Sequence, residues 1–408
     1  MSEQISSEQG SSEQGSSEQG SSEQISERHA SNLELFLDLV FVFSVTQVTS
    51  FVSSNLTREG VAKGMLLGFL VWWQWTGFTW AGTAVDLQSN RRARIVVLTM
   101  VPAMLVMAIT VPRSLSDQSR WFASSYLVVQ LLVLVIQALD AVKSEQTKRA
   151  YLRYAPLAAI APTLLFVGSF FDGTVRLVTW IAVALGMILS ALRATEQEGS
   201  TWAIDATHFA ERHALFIIIT LGEVVVAIGA TAASVAESRA FDASLLAAIV
   251  ASVAVACVLW WAYFGFVPAV IELTLREARD GARGAIARDV GSFGHFPLVF
   301  GLILYAVVAK HVIAHPDAHL AVADRWVLVV AMVLFIGGQL LIQFRLVRRL
   351  SPERFAALAV IAVLAGLGGG LRGWVVVGLV AMTLAAMSVI TARRFRASDL
   401  ATLVHHSV

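Results

Sequence analysis

Glu34 and Asp38 interrupt an otherwise apolar stretch, NLELFLDLVFVFSV at residues 32–45. Their spacing places them one helical turn apart, about 6 Å along the axis, so both carboxylates face one side of a helix. Glu223 interrupts a second apolar run, residues 212–234, close to its midpoint. Acids in such places could line a path for protons or cations, or hold a cationic substrate. A charge at the bilayer centre costs roughly 2.5–3.5 kcal/mol on insertion scales, so these groups must face protein or water. A buried carboxylic acid far from any cation favours its neutral form, which is the behaviour a proton carrier uses. The plainer alternative is a buried ion pair, in which Arg28 or Arg212 satisfies Glu34 or Glu223 and only fastens helices together. That alternative is preferred for Glu34, which lies near the interface. For Asp38 and Glu223 the functional reading is preferred.

Both acid-bearing helices follow the same tetrapeptide. ERHA occurs at 27–30 and again at 211–214, so Arg28 and His29 precede Asp38 as Glu211, Arg212 and His213 precede Glu223. These eight residues, Glu34 and the two ERHA sets included, are the candidate pathway or buried polar network. Trp72 and Trp73 in WWQWTGF (72–78) and Trp260 and Trp261 in WWAYFGF (260–266) are candidates for an aromatic lining, with plain packing the preferred reading. His311, His315 and His319 have ligand-like i, i+4 spacing, but Pro316 interrupts the helix, and no metal is expected there. His295, in GHFPLVFG, reads as a helix-end residue. The sequence shows no serine–histidine–acid set, no HExxH pair and no nucleotide-binding loop, so neither catalysis nor a cofactor is expected.

The elements that must position these groups are membrane helices. Apolar residues make up 57% of the 408 residues and charged residues only 14%, with mean hydropathy +0.70. A soluble domain of this length needs far more charge to cover its surface. The lone Cys257 excludes an intramolecular disulfide framework. Crossing a hydrocarbon layer of about 30 Å takes about 20 mainly apolar residues. Runs of that order lie near 33–53, 61–83, 94–112, 121–140, 154–171, 175–192, 212–234, 243–268, 291–314, 325–345, 354–371 and 373–391. The fold class is therefore all-α, a polytopic transmembrane bundle of about twelve spans.

Loop charge orients it. Every second loop is the more basic, as at Arg91, Arg92 and Arg94, or Arg276, Arg279 and Arg283, against Arg113 and Arg120 or Arg239 on the other side. The positive-inside rule then puts both termini in the cytoplasm. The two ERHA copies and the shared WWxxxGF suggest a parallel repeat of six spans plus six. On that basis residues 1–26, a Ser-Glu-Gln-Gly repeat, form a disordered tail. Residues 27–193 form the first membrane half, 194–210 a cytoplasmic linker, 211–396 the second half and 397–408 a cytoplasmic tail. The net charge of +1 implies no nucleic-acid partner. The bilayer and an ion or small-molecule substrate are the partners implied, and oligomeric state is not encoded legibly.

ELFLDLVFVFSVTQ (34–47) resembles the N-terminal signature of the bacterial low temperature requirement protein A family, with Leu37 where phenylalanine is usual. HFAERHALFIIITLGEVVVAIGA (208–230) is similar to its central signature, with Ala214 for the common glycine, and GHFPLVFG (294–301) matches a weaker third element. The acidic-aromatic end of the second span is reduced here to TWAGTAVDLQS, leaving Asp86 alone. The resemblance covers roughly residues 28–395. It implies a polytopic inner-membrane protein linked by name to growth in the cold, and it implies no substrate. The expected function is transport of protons, cations or a small solute along the intramembrane acids. The alternative is a non-transporting structural, sensing or lipid-handling factor.

Overall fold

Lipid offers backbone amides no hydrogen-bond partner, so apolar runs of this length must satisfy their own amides as helices. The computed structural model describes residues 30–394 apart from 86, 88–89, 143–144 and 195–203, and the described residues are almost wholly helical. The N-terminal tail, most of the 194–210 linker and the C-terminal tail lie outside the described residues.

The first six helices are α1 (Asn32–Ser54), α2 (Arg58–Ala84), α3 (Arg91–Thr110), α4 (Ser119–Ala141), α5 (Glu145–Gly168) and α6 (Gly173–Ala194). The rest are α7 (Ala206–Ser238), α8 (Ala243–Phe264), α9 (Val267–Glu277), α10 (Asp280–Ala287), α11 (His295–Ala314), α12 (Val322–Val347), α13 (Pro352–Leu367) and α14 (Gly373–Arg394). Local sequence sets the starts. Ser31 and Glu34 close a capping box on α1, and Asp205 and Asp242 cap α7 and α8 through the amides of His208 and Leu245. At Gly265 the α8 chain breaks, and Pro268 opens α9 at a position where its missing N–H costs nothing. Between α10 and α11 the residues Arg288–Gly294 form a π-helical turn.

Eleven stretches of the described residues are long and apolar enough to cross a membrane, with α8 and α9 sharing one and α10, the π turn and α11 sharing another. The protein is a multi-pass membrane protein. α2 is the long helix left out of that set, because its tryptophans, glutamine and threonines lower its hydropathy. Its 27 residues are nevertheless long enough, at roughly 40 Å, to span. Register supports a full crossing. Glu34 meets His208 and Asp38 meets Arg212, each pair 174 residues apart in sequence. A constant offset means that α1 and α7 run parallel. Two parallel spans are separated by an odd number of intervening spans, and α2 through α6 supply that number only if α2 crosses.

α11 is the central pillar: nearly every residue from Leu298 to Ile313 is buried, against α7, α12 and α1. The proposed duplication gains no support from its aromatic match. Trp72 is 2% exposed inside the bundle, whereas Trp260 and Trp261 are 49% and 46% exposed on α8.

Candidate functional site

The side of the bundle holding the N-terminus of α1 is called proximal here, and the opposite side distal. At the proximal end two consecutive turns of α1 face two consecutive turns of α7. Glu34 Oε1 lies 3.1 Å from His208 Nε2, while its other oxygen accepts the Ser31 amide and hydroxyl, both at 2.8 Å. Gly82 of α2 lies against this carboxylate, and a Cβ there would stand 2.8 Å from Glu34 Oε1. One turn deeper, Arg212 grips Asp38 with both terminal nitrogens, at 2.6 and 2.9 Å. Trp75 of α2 donates its indole N–H to the same Asp38 oxygen at 2.8 Å. Asp38 and Arg212 are fully buried, and the guanidinium lies 5.7 Å from the Trp75 ring and 5.8 Å from Phe78. An ionised carboxylate offers about four acceptor positions, and three are filled here by geometrically fixed donors. The group joins α1, α2 and α7 as a clamp.

Beside the clamp lies a histidine pair. The rings of His213 and His295 are 4.8 Å apart. His213 Nδ1 donates to the Phe209 carbonyl at 2.9 Å, which leaves its Nε2 buried without a hydrogen-bond partner. His295 Nδ1 donates to Val290 O at 2.7 Å, and its Nε2 meets the Tyr263 hydroxyl at 2.8 Å. The π turn is what brings these groups together. Trp72 and Trp80 donate to Ser292, at its carbonyl (2.7 Å) and its hydroxyl (3.2 Å), tying the turn to α2. Gly291 permits the contact with α7, since a Cβ would come within 2.3 Å of Phe209 Cζ and 2.8 Å of His213 Nε2. Single π turns inside helices commonly mark functional sites.

Farther along the same seam, Glu223 sits at the middle of α7. The Thr46 hydroxyl of α1, which donates to the Val42 carbonyl at 3.2 Å, stands near it, and the Lys310 ammonium of α11 acts on it electrostatically. At the distal end of α1, the Ser53 hydroxyl lies 3.2 Å from His311 Nε2, and His311 Nδ1 lies 2.6 Å from Asp324 of α12. A serine–histidine–acid chain absent from the linear sequence is therefore assembled by the fold from three helices. Next to it is a cavity of about 360 Å³ walled by His311, His315, His319 and Asp324, with Val312 and Leu320 among the apolar walls. Among the described residues no group of three or more His, Cys, Asp or Glu side chains is arranged to hold a metal ion.

The structure gathers Glu34, Asp38, Arg212, His213, Trp72 and, against Phe69 and Phe293, Trp73 around the proximal part of the seam. Glu211 accepts the Ala30 amide at 2.9 Å, closing the entry to α1. Arg28 and His29 lie outside the described residues. Trp260 stacks on Phe264 at 5.2 Å on the exposed face of α8, away from the seam residues it was grouped with. The partner expected of Arg212 was Glu34 or Glu223. Its hydrogen bonds instead go to Asp38, with Glu34 at 3.9 Å. Sequence reasoning passed over His208 and Tyr263, read Trp75 only as part of a tryptophan cluster, and gave His295 a helix-end role. His208 and His295 stand in the motif stretches HFAERHA and GHFPLVFG, so the signal was on the page without a contact to interpret it.

A polytopic helical bundle with a buried carboxylate–guanidinium clamp and a histidine pair at a π turn defines a membrane protein of specific internal chemistry. Residues 29–389 match the family model of the bacterial low temperature requirement A protein, and the chain belongs to that family. It is 28% identical over 298 residues to an uncharacterized protein of Rhizobium meliloti (strain 1021), a match covering 70% of each chain. No catalytic activity is part of the family's description.

Proposed function

We propose that the protein is a transport protein of the bacterial inner membrane, moving protons or small cations along the seam of α1, α7 and α11, with the proximal end in the cytoplasm. The observation that carries this reading is Glu223. It is an acid at mid-membrane depth, turned toward a hydroxyl and a nearby ammonium rather than locked by multiple donors. Such a carboxyl can exchange a proton or a cation without dismantling the helix contacts around it. The Asp38 clamp fixes the proximal end of the same seam, and the His213–His295 pair stands beside it.

The deciding experiment is flux in liposomes carrying the purified full-length protein, screened with protons, potassium, sodium and small organic cations. Glu223→Gln, nearly isosteric, should insert and fold as the parent does while flux falls about tenfold or more, the scale of a lost proton-transfer group. A second reading, a non-transporting structural, sensing or lipid-handling factor in cold adaptation, draws on the Asp38 clamp, which seals an acid as a scaffold would. Absence of flux for every cation screened would select it. Full flux in Glu223→Gln would remove Glu223 from the path.

A further inference from the structure

The distal Ser53–His311–Asp324 chain is not used by anything above. Serine, imidazole and carboxylate in that order form the hydrolase constellation, in which substrate must reach the hydroxyl. Here the cavity is walled by the imidazole and the carboxylate, and Ser53 is not part of its wall. A guest in the cavity meets His311 and Asp324 first, the reverse of what nucleophilic attack by Ser53 needs.

The same three groups suit a different task. Asp324, 7% exposed, is a fixed acceptor on the Nδ1 side and balances an added charge on the ring. On the Nε2 side the partner is a hydroxyl, which donates to the bare nitrogen and, by rotating, accepts from the protonated one. The imidazole therefore keeps both hydrogen bonds in either state, unlike His213, whose buried Nε2 has no partner. Other titratable groups near His311 are His315 and His319 across the cavity, Lys310 beside it in α11, and Glu223 on α7 near Lys310. Beyond the cavity wall, Asp317 is engaged by Arg239 and lies 4.0 Å from Arg372. A cavity of 360 Å³ whose walls include three imidazoles and a carboxylate has room for several waters.

We infer that this cavity is the distal proton-loading vestibule of the pathway, with His311 the group that takes up the proton, Asp324 its countercharge and Ser53 its two-way partner. The proton moves from cavity water to His311 and leaves hydroxide to the bulk buffer, with no other bond made or broken. The inference rests on the transport reading of the seam.

Two readouts on the full-length protein separate the two. The first is infrared difference spectroscopy between neutral and acidic buffer in membranes, which reads imidazole protonation whether or not transport occurs. The second is proton flux in liposomes. The wild type should show an imidazole signal coupled to a carboxylate band, and Asp324→Asn and His311→Gln should each remove it. Both variants should slow flux about tenfold, and Ser53→Ala by about threefold, since it leaves one state of the ring unsatisfied. Wild-type flux without a His311-dependent signal overturns the vestibule and leaves the transport reading standing. A His311-dependent signal in a protein that moves no protons overturns the vestibule, and absence of flux for every cation screened overturns the transport reading as well. Should His311→Gln fail to fold, Asp324→Asn and Ser53→Ala decide the matter by the same signal.

Discussion

Asp38 and Glu223 are the same kind of group on neighbouring parallel helices, and their surroundings differ sharply. Asp38 receives two guanidinium bonds and one indole bond in a fully buried setting. Glu223 has a threonine hydroxyl and a lysine acting from the neighbouring pillar. The first acid is over-determined by its donors and serves geometry. The second keeps spare capacity. The number and rigidity of the donors, more than depth in the membrane, separate an anchor from a group that can exchange its charge.

The largest test of this contrast is at the anchor. Arg212→Met leaves Asp38 buried with Trp75 alone, and breaking a buried pair from one side typically costs about 3–5 kcal/mol. Thermal unfolding in detergent should show a large loss for that variant and for Asp38→Leu. The double variant should recover much of it, because no uncompensated charge remains. Single variants as stable as the parent would show that the pair is no anchor. Next in size is Gly291→Ala, which drives a methyl into Phe209 and His213. Overpacking of this kind costs about 1–3 kcal/mol, and the fluorescence of Trp72 and Trp80, which hold the π turn, should change with it. Ser31→Ala removes half of the α1 capping box and should cost about 1 kcal/mol in the same unfolding assay.

The smallest effect is expected at the distal surface, outside the spans. Asp242 accepts the Leu245 amide and pairs with Arg239, while Asp317 is bonded by Ser244 and Arg239, and these contacts hold both carboxyls below the ordinary value of 3.8. A carboxyl lowered in the folded state contributes stability that is complete above its unfolded value and is lost as pH falls through the folded one. A spin label at Ala240 should therefore stay immobilised near neutral pH and gain mobility only below about pH 3.8. Mobilisation at a higher pH would show that the tether depends on another group.

The length of the apolar runs made the spans legible, because lipid allows such a run few alternatives. The exception is instructive: α2 has the length of a span and an interior rich in Trp, Gln and Thr, since it packs among helices and donates to Asp38 and Ser292. The acids were legible as oddities in apolar runs. Their partners were not, because Glu34–His208 and Asp38–Arg212 join residues 174 positions apart, and no local pattern reports such a meeting. The serine–histidine–acid chain was invisible for the same reason, with Ser53 and His311 separated by 258 positions. The WWxxxGF match adds no support to the repeat, since its two copies sit in different environments.

The clamp also has a mechanical consequence. It joins α1 to its parallel neighbour close to one end, and the stretch of α1 from Asp38 to Ser53 is roughly 22 Å long. That makes α1 a lever with Asp38 as fulcrum, so a tilt of about 5° at the clamp displaces Ser53 by about 2 Å. A shift of that size exceeds the tolerance of the Ser53–His311 hydrogen bond. A tilt of α1 about the clamp would thus break a contact at the distal end.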